Sequence, residues 1–394
     1  NHRLNMKCTY VFLAFFILFA SCSTETKSDF EIVKDLVKHD VLKDAQKFLH
    51  LEPITVTSHT TERSAGTQHD FYSEGDYWWP NPEDPDGPYI RKDGLSNPDN
   101  FVAHRHSMIR LSQISGALAS AYLITKDEVY LNKLMLHLKA WFVNEDTRMN
   151  PHLLYAQAIK GKVTGRGIGI IDTIHLIEVA LAVKVIEDSD RNNKQEVNKI
   201  KDWFSQYLNW LTTHKYGIKE RDNGNNHSTC WAMQVAAFAK LVDNKEQILF
   251  CKRLLKNKLI PDQMAIDGSF PKEMARTKPY GYSIFNLDAM AGLAQLLTTN
   301  EDNLFTYKTK EGKSLKLGIQ FLYPYLKDKK AWPFKKDVMY WDDWPTKQPT
   351  LLFAGLQYNN NNYIETWVNL PEIPDKAEII RNMPIRYTLL WVQK

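Results

Sequence analysis

Two short stretches of the 394-residue chain concentrate side chains able to move protons or hold a carboxylate. The first is Arg221-Asp222-Asn223-Gly224-Asn225-Asn226-His227-Ser228, which runs into the apolar sequence Cys230-Trp231-Ala232-Met233-Gln234-Val235. Gly and Asn make turns, and Asn, Asp or Ser caps a helix. A cap needs one such residue, whereas this cluster holds several and a histidine. We therefore read it as functional, held rigidly by the buried helix behind it. The second stretch is Lys272-Glu273-Met274-Ala275-Arg276-Thr277-Lys278-Pro279-Tyr280-Gly281-Tyr282-Ser283-Ile284-Phe285-Asn286-Leu287. It too ends at a helix start. Arg276 can grip a carboxylate through two parallel hydrogen bonds, or simply pair with Glu273. Tyr282 can transfer protons if neighbouring cations lower its pKa from about 10, or serve as a core tyrosine.

Taken together, these side chains suit β-elimination in a uronic-acid polymer. The C5 carboxylate must be neutralised so that the C5 proton becomes acidic. A base must remove that proton, and an acid must protonate the leaving O4. Asn226 and Arg276 suit the first task, because they stabilise the enolate-like charge that develops. His227 or Tyr282 suits the second and Tyr282 the third. A glycoside hydrolase on a similar helical scaffold is the competing enzyme; it needs two carboxylates across the scissile bond, and Asp76, Asp172, Glu273 and Asp288 are available. A non-catalytic glycan-binding surface lipoprotein is the third candidate. It would keep aromatic loops but has no need of Asn226, His227, Arg276 and Tyr282 together.

Asn225-Asn226-His227-Ser228 ahead of an apolar helix, then Arg276, then Tyr282 with Phe285-Asn286-Leu287, resembles the alginate lyase superfamily typified by polysaccharide lyase family 5. Three further segments are more similar to polysaccharide lyase family 38, whose members act on alginate or glucuronan. These are Asp76-Tyr77-Trp78-Trp79-Pro80-Asn81-Pro82, Pro151-His152-Leu153-Leu154-Tyr155-Ala156-Gln157-Ala158 and Gly165-Arg166-Gly167-Ile168-Gly169-Ile170-Ile171-Asp172. The resemblance spans roughly residues 54–345. It implies an all-α, (α/α) toroid fold and a lyase acting on alginate or glucuronan. It also implies that Asn226 and Arg276 neutralise the substrate carboxylate. Tyr282 would be base and acid for syn elimination, and His227 would assist or act as base for the opposite C5 epimer. The Arg276–Tyr282 separation is one residue shorter than in family 5, which leaves Tyr280 as a rival for Tyr282.

Further substrate contacts are expected from His106, Gln157, Arg166 and Tyr280, and from Trp78, Trp79, Tyr340 and Trp341, whose flat rings can stack on sugars. His104 and His106 stand two residues apart and do not share a helix face, so no helical zinc pair is expected. Gly165-Arg166-Gly167-Ile168-Gly169 lacks the Lys-Ser/Thr ending of a phosphate loop, so no nucleotide site is expected either. We expect no metal and no cofactor.

The elements that must position these residues are helices. Apolar residues recur at helical spacing in Met108, Leu111, Ile114, Leu118 and Tyr122, and again in Tyr130, Leu131, Leu134, Leu138 and Trp141. Ile171 to Val185, Val197 to Leu211, 229–242, 245–259, 286–299 and 313–327 continue the pattern. Helices joined by modest loops suggest about six to seven antiparallel hairpins. Two stretches, 54–105 and roughly 329–375, read as long irregular loops of the kind that carry function.

At the N-terminus, Met6 and Lys7 precede the apolar run Val11–Ala20, then Ser21 and Cys22. This is the pattern of an export signal over residues 1–22 with its start at Met6. Cys22 fits a lipid-anchored mature N-terminus. The expectation is therefore a periplasmic protein, or one lipid-anchored to the outer membrane, of a Gram-negative bacterium, with residues 23–394 as a single, monomeric catalytic domain. Of four cysteines, only Cys230 and Cys251 follow the leader; both sit in apolar helical stretches and read as buried thiols. A net charge of +4 over this length gives no electrostatic footprint for nucleic acid, so the expected partner is an acidic polysaccharide, with membrane contact only through the lipid.

Overall fold

Helices that are buried almost all round alternate along the chain with helices buried on one stripe. The computed structural model describes residues 27–189 and 193–392. The expected leader, with Met6 and Cys22, lies outside the described residues. The helices are α1 Asp29–Phe48, α2 Ala103–Thr125, α3 Glu128–Phe142, α4 Leu176–Glu187 and α5 Lys194–Thr213. Next come α6 Lys215–Arg221, α7 Asn226–Leu241, α8 Lys245–Leu254, the short α9 Ile260–Gln263 and α10 Pro271–Met274, and α11 Pro279–Leu297. The last are α12 Leu315–Lys327, α13 Pro349–Gln357, α14 Asn361–Asn369 and α15 Ala377–Arg381.

Burial sorts these helices into two layers. In α7, 14 of 16 residues are buried, and in α13 eight of nine. A helix without a polar face has to be surrounded by protein. Accordingly α2, α4, α7, α11 and α13 form an inner row, each packing on the next. The outer partners α3, α5, α8, α12 and α14 each bury one stripe against that row. In α5 the stripe is Val197, Ile200, Trp203, Phe204, Tyr207, Leu208 and Leu211. The result is the expected (α/α) toroid arrangement, with five inner–outer pairs among the described residues rather than six or seven, and α1 packed outside α2.

The expectation of a loop through 329–375 needs correction, because α13 and α14 lie within it. Pro349-Thr350-Leu351-Leu352-Phe353-Ala354-Gly355-Leu356 is short and apolar on every side, so it carries no periodic contrast to reveal a helix. Pro349 sits in the first turn of α13, where its missing N–H does no harm. By contrast, 54–102 is irregular as expected. It holds only a short 3₁₀ turn and three short strands: β1 Tyr72–Glu74, β2 Trp78–Trp79 and β3 Ile90–Arg91. β1 pairs in parallel with β4, Tyr155–Ala158, and β2 pairs antiparallel with β3, setting Trp78 opposite Arg91. Cys230 and Cys251 are free and buried. No helix among the described residues is long and apolar enough to cross a membrane.

The C-terminal segment enters the ring of inner helices. Glu178 of α4 accepts hydrogen bonds from the backbone N–H groups of Arg386 and Tyr387, at 2.8 and 2.9 Å, and from the Trp391 indole at 3.0 Å. Gln295 of α11 donates to the Trp391 carbonyl, and Arg386 donates to Ser112 of α2. Gly116 is required on α2 because a Cβ there would meet the Tyr387 ring at 2.2 Å. Removing the Glu178 carboxylate strands three buried donors and the Arg386 charge. We therefore expect Glu178→Ala to lower unfolding free energy by about 3 kcal/mol or more, measured by urea denaturation; a loss below about 1 kcal/mol would mean that the plug contributes little to the fold.

Candidate active site

The N-terminus of α7 presents the first cluster. Asn225 caps the helix, its side chain accepting from the His227 backbone N–H at 3.0 Å. Gly224 precedes it at φ +81°, a conformation that favours glycine. The cap places Asn226 and His227 in the first turn, where each is gripped from behind by a buried carboxylate. Glu273 of α10 accepts from the Asn226 backbone N–H at 2.7 Å and from its side-chain amide at 2.9 and 2.8 Å. Glu220 of α6 lies 2.5 Å from Nδ1 of His227. With Nδ1–H donating to that carboxylate, Nε2 is the nitrogen left for a ligand.

The second cluster faces the first. Arg276 donates to both oxygens of Asp93, at 3.3 and 3.0 Å, and to the Tyr282 hydroxyl at 3.2 Å. Its guanidinium carbon stands 4.3 Å from the Tyr282 ring centroid. The Tyr282 hydroxyl also lies 2.6 Å from that of Tyr77. Lys278 Nζ is 5.1 Å from the Tyr77 ring and 5.3 Å from the Tyr282 ring, and pairs with Glu378 at 3.2 Å. The condition that neighbouring cations lower the Tyr282 pKa is not met. Burial raises it well above the ordinary value and Tyr77 adds to the rise, while Lys278 and Arg276 oppose without prevailing. In this arrangement Tyr282 is a neutral phenol.

Between the clusters lies a cleft of about 330 Å³. Asn226, His227, Arg276 and Tyr282 all line it, joined by Trp78, Gln157 and Arg166 from the expected substrate contacts. Gln157 and Arg166 are locked together: the guanidinium donates to both the carbonyl and the side-chain oxygen of Gln157, each at 3.0 Å.

Other expected contacts are corrected by their placement. Tyr280 is fully buried, its hydroxyl donating to the Tyr325 carbonyl at 2.8 Å and its ring meeting Trp332 edge-on. Helix positions two apart point to different sides, so Tyr280 and Tyr282 cannot both face the cleft. Trp341 packs on Tyr280 and does not line the cleft. Trp79 is tied down by an indole bond to the Leu95 carbonyl and covered by Lys92. His106 is exposed on the first turn of α2 and is not in the cleft wall. Tyr340 borders a smaller hollow next to Tyr282, with Lys278 5.5 Å from its ring. The alternative pairing of Arg276 with Glu273 is not formed, since Glu273 holds Asn226 instead.

The four carboxylates available for hydrolysis are committed elsewhere. Only Asp76 of the four lines the cleft. It pairs with Arg105 at 2.7 Å and with Arg381 at 2.9 Å. Asp172 pairs with Arg105 at 3.1 Å. Asp288 accepts from Gln348 and Thr350, each at 2.6 Å.

Several cleft residues escaped the sequence reading. Tyr77 stood inside a recognised segment, but nothing marked its hydroxyl as a partner of Tyr282. Arg381 and Asn382 come from the C-terminal end of α15 and carry no local signal at all.

Burial works against ionisation of Asp76, but Arg105 and Arg381 outweigh it and hold the carboxyl at about 2, below its ordinary 3.8. A folded-state pKa below the unfolded value stabilises the fold above the unfolded pKa and loses that effect as pH falls through the folded one. The stability deficit of Asp76→Asn should therefore be constant from neutral pH down to about pH 5 and shrink as pH approaches about 2. Denaturation at stepped pH measures this; a deficit that persists undiminished in acid would contradict the pairing.

The alginate lyase family model matches residues 55–332. Among solved structures, an alginate lyase from Bacteroides ovatus superposes with a TM-score of 0.79 at 30% identity, over 93% of this chain and 97% of that one. Alginate lyase A1-III from Sphingomonas species A1 gives 0.55 at 15% identity, over 90% of this chain and 95% of that one. A histidine-to-alanine variant of alginate lyase A1-III complexed with a tetrasaccharide gives 0.59 at 15%, over 90% and 94%. At 15% identity the likeness concerns the fold alone. Comparison with curated proteins gave no match.

Proposed function

The chain belongs to the alginate lyase family, and from that premise we propose that it cleaves a uronic-acid polymer, alginate with glucuronan as the alternative, by β-elimination in the cleft between α7 and α11. One observation carries the reading: Asn226, His227, Arg276 and Tyr282 converge on one cleft, each held from behind by a second residue. A uronate carboxylate between Arg276 and Asn226 meets a guanidinium and an amide whose orientations are already set, so little reorganisation is needed as charge moves onto the carboxylate.

Proton transfer then divides by stereochemistry. Where the C5 proton lies opposite the leaving O4, His227 Nε2 takes the proton and the neutral Tyr282 hydroxyl gives its own to O4. Where both lie on one face, Tyr282 first loses its proton to solvent, then takes the C5 proton as a phenolate and passes it to O4. Arg276, donating to its oxygen, is then the group that stabilises the phenolate. The raised pKa of Tyr282 suits the acid role. Hydrolysis is disfavoured because Asp76, Asp172, Glu273 and Asp288 are all engaged. The segments around Trp78, Tyr155 and Arg166 support a kinship with polysaccharide lyase family 38 over family 5.

Incubation with alginate and with glucuronan, followed by the ultraviolet absorbance of the unsaturated product, tests the reaction. Hydrolysis yields reducing ends without that absorbance, and a binding module yields neither. Tyr282→Phe should lower kcat about 10³-fold with little change in KM. Full activity in that variant would remove Tyr282 from the mechanism.

A further inference from the structure

A second hollow, of about 960 Å³, opens on the other side of Trp78. It continues from the catalytic cleft through three chain segments. Gly75 leads to Asp76, Ala158 follows Gln157, and Gly165 precedes Arg166; the first of each pair named lines the hollow and the second the cleft. Trp78 belongs to both walls, with the Arg166 guanidinium 5.9 Å from its ring centroid. The two spaces are therefore neighbouring compartments of one groove.

Flat aromatic faces and free cations line this second compartment. Lys162 Nζ lies 5.6 Å from the Trp78 ring, and Lys160 Nζ 5.7 Å from the Tyr89 ring. Among the described residues neither lysine has an acidic partner. Glu74, the one acidic residue in the lining, is already engaged by the Tyr72 hydroxyl at 2.8 Å, the Phe101 N–H at 2.7 Å and Arg63 at 3.2 Å. The lysines also have a fixed base. They flank Gly161 in a tight hairpin closed by Ile159 and Val163, with Gly161 at φ +74° and packed so closely that a Cβ there would meet the Pro88 backbone at 2.8 Å.

We propose that this compartment binds the uronate chain beyond the two sugars whose bond is broken. Lys160 and Lys162 meet the carboxylates, and Trp78, Tyr89 and Tyr216 meet ring faces. The proposal rests on the reading of the neighbouring cleft as a site of uronate elimination. The chemistry of the lining favours an anionic sugar. A neutral glycan would use the aromatic faces but leave the lysines idle, and an apolar ligand would meet an open, cationic rim. A volume close to the ~1,000 Å³ upper end of ligand pockets takes more than one sugar. Longer chains should accordingly bind more tightly than short ones, and the advantage should fall with salt.

Steady-state kinetics on size-defined oligouronates, read by unsaturated-product absorbance at low ionic strength, test this with the full chain. Lys160→Ala/Lys162→Ala should raise KM for a hexauronate about tenfold more than for the shortest oligomer cleaved, with kcat changed less than about twofold. Charge reversal at both positions should widen that ratio. Equal effects at every length, or none, overturn the proposal. So does an effect of the same size from Lys310→Ala/Lys330→Ala, which removes two exposed lysines elsewhere. Failure of the elimination reading looks different, because no oligouronate then yields unsaturated product. Calorimetric titration with the hexauronate then decides: weaker binding by the double variant supports the second compartment, and unchanged binding overturns it.

Discussion

Asp76 sits between Arg105 and Arg381, and this cluster of charges joins three parts of the chain that are distant in sequence. Arg105 is in the first turn of α2, Asp76 in the loop that carries Tyr77 and Trp78, and Arg381 at the end of α15, just before the C-terminal plug. Taking such groups out of water costs roughly several kcal/mol per ion, so the arrangement is tolerable only with every partner present. Asp172 completes the pairing of Arg105, and Glu378 that of Arg381. The cleft follows geometrically. Tyr77 and Trp78 come directly after Asp76, and Asn382 directly after Arg381, and all three line the cavity.

A site for a polyanion that buries two carboxylates behind its wall looks contradictory on charge alone. The contacts resolve it. Glu273 and Glu220 do not face the cleft; they are spent on Asn226 and His227. Each converts a mobile side chain into one with a set orientation, and for His227 also a set tautomer. Asp93 does the same for Arg276, using part of its guanidinium while leaving an N–H for the Tyr282 oxygen. The amide, imidazole and guanidinium that face the cleft are therefore held by partners that fix their direction rather than left free to move. Tyr282 shows the cost of enclosure. Burial of its hydroxyl keeps the phenol protonated, which suits an acid and demands help from Arg276 for a base.

Much of the framework was legible in the linear chain. Amphipathic stripes such as Val197–Leu211 mark outer helices because their polar face contrasts with the buried one. α13 escaped notice for the opposite reason: a short helix buried on all sides shows no contrast. The Asn225–Ser228 and Arg276–Tyr282 clusters were legible because their density of polar groups exceeds what helix caps require. The sequence favoured Tyr282 over Tyr280 only by its place just before the helix entry, since which of them faces the cleft depends on the rotation of α11 about its axis, which packing sets.

By itself the sequence determined the helical architecture, the two loop-to-helix junctions that carry the polar clusters, and the residue types that the proposed elimination needs. These are local properties, written in spacing and composition. Only the tertiary structure decided which tyrosine faces the cleft, that Tyr77, Asp93, Glu220 and Glu273 hold the four central residues, and that Arg381 reaches them from the C-terminus. Those pairings join residues as far apart as Asp76 and Arg381, and no local pattern encodes them. They exist because charges withdrawn from water must find partners wherever the packed helices bring them together.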